Sequence, residues 1–414
     1  MGDSVIEKQK TDVVIVGAGP AGASVARISA KAGLDVVVLE KQAEVGAHVQ
    51  CGEGVTRYIN KIDREIKLKK EHISTEISDM MIVLPSGSPL VMRRRRSRAD
   101  GYIINRDIYD RYLAEKAEKY GAEIRRSSPV LSPIMKKKRV RGVVVYDKNK
   151  NKGKGEKYEL YGKIVVAADG VSSMIGKKAG LPIKMKESET SICAESRFTG
   201  IEVDDNTIEL WFLPECEMTG YAWVFPKSEN VANIGVGIMS HTLRQKHLRI
   251  QDVLDDFVKK RFSKYKPKPI LKMNGVVPLG VCRKLVAPGI ALVGDSGRMV
   301  VPVSGAGIEN AIKSGIMLGK TISNGDFSLK NLKSYEKEYM SKIGYKMQAL
   351  LYGRRVLELA YDTSPNLVWF GGDIVKTILD MQRVFMDLTG AREKRPTIST
   401  GVGRLIAGSL KFLT

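Results

Sequence analysis

The sequence predicts an α/β protein: a Rossmann-like nucleotide-binding domain, an inserted antiparallel β-sheet domain and a helical C-terminal part. Three stretches predict it. Residues 12–41 read DVVIVGAGPAGASVARISAKAGLDVVVLEK, two apolar β-branched runs flanking a glycine-rich turn and a helical pattern. Residues 289–319, GIALVGDSGRMVVPVSGAGIENAIKSGIMLG, repeat that strand–glycine–helix plan far along the chain. Between them, residues 221–237 read YAWVFPKSENVANIGVG, with aromatics at alternate positions, the period of a strand.

Each part of the first stretch has a physical role. DVVIV is a wholly apolar run, as in a parallel strand buried on both faces. Gly17, Gly19 and Gly22 stand in G-x-G-x-x-G spacing. Gly17 permits the tight turn, Gly19 lets a pyrophosphate approach the backbone, and Gly22 allows close helix–strand packing. The diphosphate charge then sits on a helix N-terminus, and Glu40 accepts hydrogen bonds from a ribose. Val25, Ala26, Ile28 and Ala32 give that helix its apolar positions, and Gly33 closes it. The second stretch ends a buried strand on Asp295. Gly305 and Gly307 then precede a helical pattern through Ile308, Ala311, Ile312, Gly315 and Ile316. A helix start with glycines before it is an anion site. NAD needs no second site so distant in sequence, whereas an extended FAD does, so FAD is the expected cofactor.

Together the two segments resemble the para-hydroxybenzoate hydroxylase-type flavoproteins. The resemblance implies that Asp295 binds the ribityl chain. It also implies that the amides of Gly305, Gly307 and Ile308 face the flavin pyrimidine. Ala21 and Lys41 are expected among the cofactor contacts. In YIINRDIYDRYLAEKAEKYGAEI, Arg106 opens a helix whose inner face is read as Ile108, Leu113, Ala114 and Ala117. The family places that arginine near the flavin, and Val130 at the adenosine end; a surface helix charge is the plain alternative for Arg106. Asp169, Gly170 and Ser173 match the D-G-x-x-S segment of the hydroxylases. Their arginine three residues later is replaced by Gly176, with Lys177 next, which speaks against a simple NADPH-dependent hydroxylase.

In HVQCGEG, residues 48–54, Cys51 and Gly52 fall where such chains pass the flavin ring. Cys51 is read as a proton donor, as a shape-setting contact, or as an inert buried thiol. Cys51-Gly52-Glu53 with Y-x-W-x-F-P-x8-G-x-G resembles the geranylgeranyl reductase family, and within it the archaeal digeranylgeranylglycerophospholipid reductases. The resemblance implies that Tyr221, Trp223, Phe225 and Pro226 wall an apolar tunnel, and that Gly235 and Gly237 leave room beside it. A plain sheet core is the alternative. The implied reaction hydrogenates C=C bonds of geranylgeranyl chains on ether phospholipids, with Cys51, or water near it, as the acid. An aromatic hydroxylase on the same fold is the competing reading. The head group is unmarked, so geranylgeranyl diphosphate or a quinone tail also fits. The electron donor is open among reduced ferredoxin, a quinol and NAD(P)H.

The organisation expected is a cofactor domain from residues 1–75, 101–185 and 276–330. A substrate domain takes 76–100 and 186–275, and 331–414 forms the helical part. Cys51, Cys193, Cys216 and Cys282 are scattered without a C-x-x-C pair, and there are four histidines, so neither a metal site nor a disulfide framework is expected. The formal charge of +22 concentrates in Arg93–Arg96, in KKKRVR from Lys136 and in KNKNKGKGEK from Lys148. Solvated hairpin tips and contact with anionic lipid both account for these runs. Nucleic acid is not expected, since no aromatics interleave with the charges. With a polar N-terminus and no long apolar run, the expectation is a cytoplasmic protein, and the basic runs lead to the expectation that it is peripheral at the inner face of the cell membrane.

Overall fold

The computed structural model describes residues 7–47, 49, 51–85, 87, 89–92, 99–217 and 219–363. Strand Glu7–Val16, buried from Val13 onward, turns into helix Pro20–Lys31 through Gly17 at φ +102°. A Cβ on Gly22 would lie 1.9 Å from the Gly17 carbonyl oxygen, so the turn closes only with glycine there.

The strand Glu7–Val16 lies inside an eight-stranded sheet. Glu123–Arg125, Val36–Leu39, Glu7–Val16, Glu156–Ala167 and Ile290–Leu292 run side by side and parallel. The hairpin Val130–Lys136 and Arg139–Asp147 pairs antiparallel to the first half of Glu156–Ala167. KKKRVR forms the tip of that hairpin, and KNKNKGKGEK forms the turn at the opposite end of Arg139–Asp147. Two of the basic runs are therefore solvated turns at opposite ends of one strand. Arg93–Arg96 lies outside the described residues.

Helix Ile308–Ile322 crosses helix Pro20–Lys31 at very close range. A Cβ on Gly315 would stand 2.4 Å from the Ala21 carbonyl oxygen, and one on Gly319 2.7 Å from Ile28 Cβ. The two glycine-led helices, far apart in sequence, thus pack as a pair. Helix Arg106–Glu118 also packs on Pro20–Lys31. It buries Tyr109, Asp110, Leu113, Ala114 and Ala117, while Ile108 is exposed. Ile108 lies one residue, about 100°, off the buried face that Tyr109, Leu113 and Ala117 share, which corrects the inner face read from the sequence.

The second sheet has seven strands, in the order Lys268–Pro278, Thr190–Thr199, Val231–Met239, Gly220–Ser228, Thr207–Trp211, Asp79–Val83 and Pro89–Met92. It is antiparallel except where Thr207–Trp211 meets Asp79–Val83, a parallel pair joining distant parts of the chain. One face packs Ala222, Val224, Ile234, Val236 and Ile238 against Val253, Leu254, Phe257 and Val258 of helix Ile250–Arg261. Trp211 belongs to that back face, edge-on to Phe257 at 5.6 Å. The other face is free for the aromatic row.

A three-stranded sheet, Gly54–Thr56, Gly101–Ile104 and Ile73–Ile77, was not anticipated. It holds the segment that follows Cys51. At the C-terminal side, Leu329–Tyr339, a π-helical turn Met340–Gly344 and Tyr345–Thr363 follow one another. Leu332, Tyr335 and Tyr339 are buried in the cofactor-domain core, with the Tyr335 hydroxyl donating to the Leu292 carbonyl at 2.8 Å. These helices buttress the nucleotide sheet. The further helices expected over residues 365–390, and the apolar end 401–414, lie outside the described residues. Among the described residues no helix is long and apolar enough to cross a membrane.

Candidate active site

At the nucleotide end, helix Pro20–Lys31 starts from Gly19 with no side-chain cap. A Cβ on Gly19 would meet nothing within 4 Å, so the first amides face open space. The Glu40 carboxylate is held by two backbone donors, Ala18 N at 3.0 Å and Gln42 N at 2.9 Å. Its remaining lone pairs stay available. Ser128 N bonds the Glu40 carbonyl at 2.7 Å, bringing buried Val130, two residues on, to the same edge. Ala21 is buried where the two glycine helices cross, beside Gly294 and Gly315. Lys41 is exposed and is not drawn into this cluster.

The second helix, Ile308–Ile322, likewise starts from a glycine, Gly307, without a side-chain cap. A Cβ on Gly307 would lie 3.3 Å from Asp295 Oδ1, and Gly305 has φ +71°. The Asp295 carboxylate makes no hydrogen bond among the described residues. Burial raises its pKa, and Arg106 pulls it back. Glu309, one residue into the helix, accepts from Thr56 N at 3.0 Å and from Thr56 Oγ1 at 2.6 Å. This pair ties the helix start to the chain just past Cys51. Uncapped amides, a carboxylate without a protein partner and bare glycine backbone are a donor and acceptor set that fits FAD.

Arg106 connects the parts. Its guanidinium bonds Asp110 at 3.3 and 2.5 Å, and its backbone N–H donates to Glu53 Oε1 at 3.2 Å. Burial opposes its charge, but Asp110 and Cys51 outweigh that and raise its pKa. Arg106 is therefore part of the site rather than a surface charge. Cys51 is half-buried, and Glu53 N donates to its Sγ at 3.2 Å. Burial pushes the thiol up, Arg106 and that hydrogen bond pull down, and Glu195 and Glu53 push up again. The net effect keeps it a neutral thiol.

The aromatic row lies directly against this loop. Phe212, Tyr221, Trp223 and Phe225 form a continuous series with ring centroids 6.2, 6.0 and 6.4 Å apart. A Cβ on Gly52 would stand 2.9 Å from Phe225 Cδ2 and 3.4 Å from Trp223 Nε1. The Tyr221 hydroxyl donates to the Ser304 carbonyl at 2.6 Å, which joins the row to the loop before the second glycine helix. Pro226 offers its carbonyl to Thr75 Oγ1 at 2.7 Å. The space over Gly235 is filled by Trp223 itself, whose Cζ2 would be 2.3 Å from a Cβ there. A Cβ on Gly237 would meet Cys193 Sγ at 3.0 Å and Trp223 Cζ3 at 3.5 Å. The glycines thus let the indole lie flat on the sheet, and the free face of the row is what remains for a ligand.

Several polar residues at the site escaped the reading of the sequence. Glu53 is buried, with φ +68°, and its Oε2 accepts from Arg197 at 2.7 Å, Lys227 at 2.7 Å and Asn233 at 2.9 Å. Lys227 also donates to the Ile104 carbonyl at 3.0 Å and to Asn105 Oδ1 at 2.8 Å. Glu195 is buried two residues before Arg197 on the same strand, Thr190–Thr199. Lys227 directly follows the F-P pair and Asn233 lies inside the eight-residue spacer, but only strand register shows that they converge. Gly176 is packed under Leu292, with its missing Cβ 2.8 Å from Leu292 Cδ2. That position faces inward and has no space for an arginine.

This fold and this site define an FAD-binding flavoprotein, and residues 10–342 match the family model of the FAD binding domain. The chain belongs to the digeranylgeranylglycerophospholipid reductases. It is 35% identical over 349 residues to the Methanosarcina acetivorans enzyme of that name, covering 82% of this chain and 83% of that one. To digeranylgeranylglycerophospholipid reductase 2 of Methanococcoides burtonii it is 34% identical over 415 residues, 98% of this chain and 99% of that one. A crystal structure of a geranylgeranyl bacteriochlorophyll reductase-like protein from Thermoplasma acidophilum superposes with a TM-score of 0.80 at 27% identity. That match covers 98% of this chain and 100% of the other.

Proposed function

We propose that this protein is an FAD-dependent reductase that saturates the C=C bonds of geranylgeranyl chains on ether phospholipids. The carrying observation is the row Phe212–Tyr221–Trp223–Phe225 laid against the Cys51–Gly52 loop. A prenyl chain offers no hydrogen bonds, so it is held by burying apolar area, at about 25 cal/mol per Å². Aromatic walls bury the most area per residue. When bound, FAD supplies the hydride of the reduction.

The chain's own groups do the rest. The amides of Gly19, Ala21 and Gly22 and the Glu40 carboxylate hold the nucleotide end, Pro20 having no N–H to offer. Asp295 and the amides of Gly307 and Ile308 hold the other end and favour negative charge there, whereas the Gly305 N–H donates to the Val301 carbonyl at 2.9 Å and the Ala306 N–H to Ser304 Oγ at 3.4 Å. Arg106, fixed by Asp110, acts electrostatically on both Asp295 and Cys51. Cys51 carries a proton at a half-buried sulfur beside the row and gives it to the alkene carbon. Inward-facing Gly176 supports a reductant other than NADPH bound through an arginine, so a reduced ferredoxin or a quinol fits this reading. An anionic head group or membrane surface accounts for part of the net charge of +22.

The test is mass spectrometry on an unsaturated digeranylgeranyl phospholipid incubated anaerobically with chemically reduced protein. Gain of two hydrogens per double bond is expected. An unchanged lipid, with gain of one oxygen on a phenolic compound in air with NADPH, overturns the reading in favour of a hydroxylase. Gly235→Ala tests the wall, because its Cβ displaces an indole boxed between Tyr221 and Phe225. Overpacking of this kind costs about 1–3 kcal/mol, so KM for the lipid is expected to rise about tenfold, with a shifted Trp fluorescence. An unchanged KM means the row does not bind the chain.

A further inference from the structure

The site holds a second buried acid that the reading above does not use. Glu195 pairs with Gly235 in the sheet register, and Trp223 pairs with the same glycine from the other side. Its neighbours two residues away face the same way. Cys193 Sγ lies at Gly237, and Arg197 reaches Asn233 and Glu53. Glu195 is therefore on the aromatic face of the sheet, between Cys193 and the Glu53 cluster. It is only 6% exposed, and its buried Oε1 has no hydrogen-bond partner. The nearby Trp223 Nε1, which lies against the Gly52 position, makes no well-aligned hydrogen bond either, but its N–H is close enough to Glu195 to pull its pKa down.

Buried carboxyls without a partner are costly, and a sheet surrounded by apolar rings has no structural use for one. The charged groups facing Glu195 explain why it stays uncharged. On its own strand, Arg197 is committed to Glu53 at 2.7 Å, and on the aromatic strand Lys227 is committed to the same carboxylate at 2.7 Å. Both local cations are thus taken, and Glu53 itself opposes a second negative charge. Burial, then Glu53, push Glu195 up to about 8, with the Trp223 N–H, Arg197 and Lys227 acting weakly the other way. From the loop before strand Gly54–Thr56, Cys51 is another titrating group within electrostatic reach.

We propose that Glu195 is a proton-relay residue of this site, replacing the proton that Cys51 gives up. The proposal rests on the reductase reading. In the balanced step, reduced FAD, when bound, would supply the hydride for one C–H bond at the alkene. The Cys51 S–H bond breaks and its proton forms the second C–H bond. The Glu195 O–H bond then breaks and its proton re-forms the thiol, and solvent returns a proton to Glu195. Two electrons come from the flavin, and one of the two added hydrogens comes from water.

The test uses yellow, FAD-loaded enzyme and its Glu195→Gln and Glu195→Asp variants. Wild-type turnover is expected to fall as pH rises through about 8, where Glu195 loses its proton. Glu195→Gln is expected to lose at least tenfold in kcat at neutral pH, together with that pH limb, with KM and flavin content unchanged. Glu195→Asp is expected to restore part of the rate. A second readout needs no turnover: alkylation of Cys51 by a neutral thiol reagent across pH, followed on the Cys51 peptide. Removing the neighbouring carboxyl shifts the Cys51 curve to lower pH in Glu195→Gln. Lipid reduction with unchanged kcat and pH profile in Glu195→Gln overturns the relay and leaves the reductase intact. If wild-type enzyme reduces no lipid, the reductase reading fails, and superposable alkylation curves then overturn the Cys51–Glu195 coupling as well.

Discussion

Replacing Glu53 by alanine is expected to destabilise the protein by about 3–5 kcal/mol, the cost of stranding buried partners of a removed charge. One carboxylate oxygen, Oε2, receives Arg197, Lys227 and Asn233, and Oε1 receives the Arg106 backbone N–H. These donors come from three separate strands and a helix start, so the carboxylate joins the seven-stranded sheet to the cofactor domain. Without it two cations remain at low exposure with no countercharge. Burial already lowers the Lys227 pKa, and Glu53 is the chief group holding it up. In Glu53→Ala the lysine therefore sheds its proton more readily, which adds to the disruption. Against a total stability of roughly 5–15 kcal/mol, the unfolding midpoint drops by several degrees and flavin is lost on gel filtration. Glu53→Gln keeps an acceptor and falls between. A Glu53→Ala variant that unfolds with the wild type in a thermal scan would show that the two domains are not tied at this point.

The parts of this molecule legible in its sequence are those whose requirement is local. Gly17, Gly19 and Gly22 act on their own backbone within one turn, so spacing alone reports them. Asp295 followed by Gly305 and Gly307 is a second local case. The aromatic row was legible as a strand face because side-chain alternation needs no knowledge of the partner strand. What the row rests on was not. Arg197, Lys227 and Asn233 are unremarkable polar residues on strands, and they converge on Glu53 only because three strands align across sequence separations of up to 180 residues. The room over Gly235 shows the same limit, since only the paired strand reveals that Trp223 fills it. Ile108 was misplaced because apolar type alone put it on the buried face, whereas Tyr109, about 100° further round, takes that place with its hydroxyl on the Ile66 carbonyl.

The second large effect falls on Cys51. Cys51→Ala is expected to lower kcat by about 10²- to 10⁴-fold, the usual worth of a positioned acid, while the protein stays folded and yellow. Alanine removes only sulfur from a half-buried position, and no backbone contact depends on it apart from the acceptor for Glu53 N at 3.2 Å. Serine separates chemistry from shape. If Cys51 only shapes the surface beside the row, Cys51→Ser is near wild type. If it is the proton donor, serine is also slow, because a hydroxyl is a far weaker acid than a thiol. The pH dependence has a definite sign. Burial raises the thiol pKa above its ordinary value, with Arg106 only partly offsetting this. A protonated donor is thus present throughout the acid and neutral range and is lost only at alkaline pH. The relay through Glu195 fails first as pH rises, so the wild-type limb belongs to the carboxyl and not to the sulfur. Turnover in deuterated water completes the test. Wild type places one solvent deuterium per saturated bond, and a Cys51→Ala enzyme that does so at the wild-type rate would remove the thiol from the reaction.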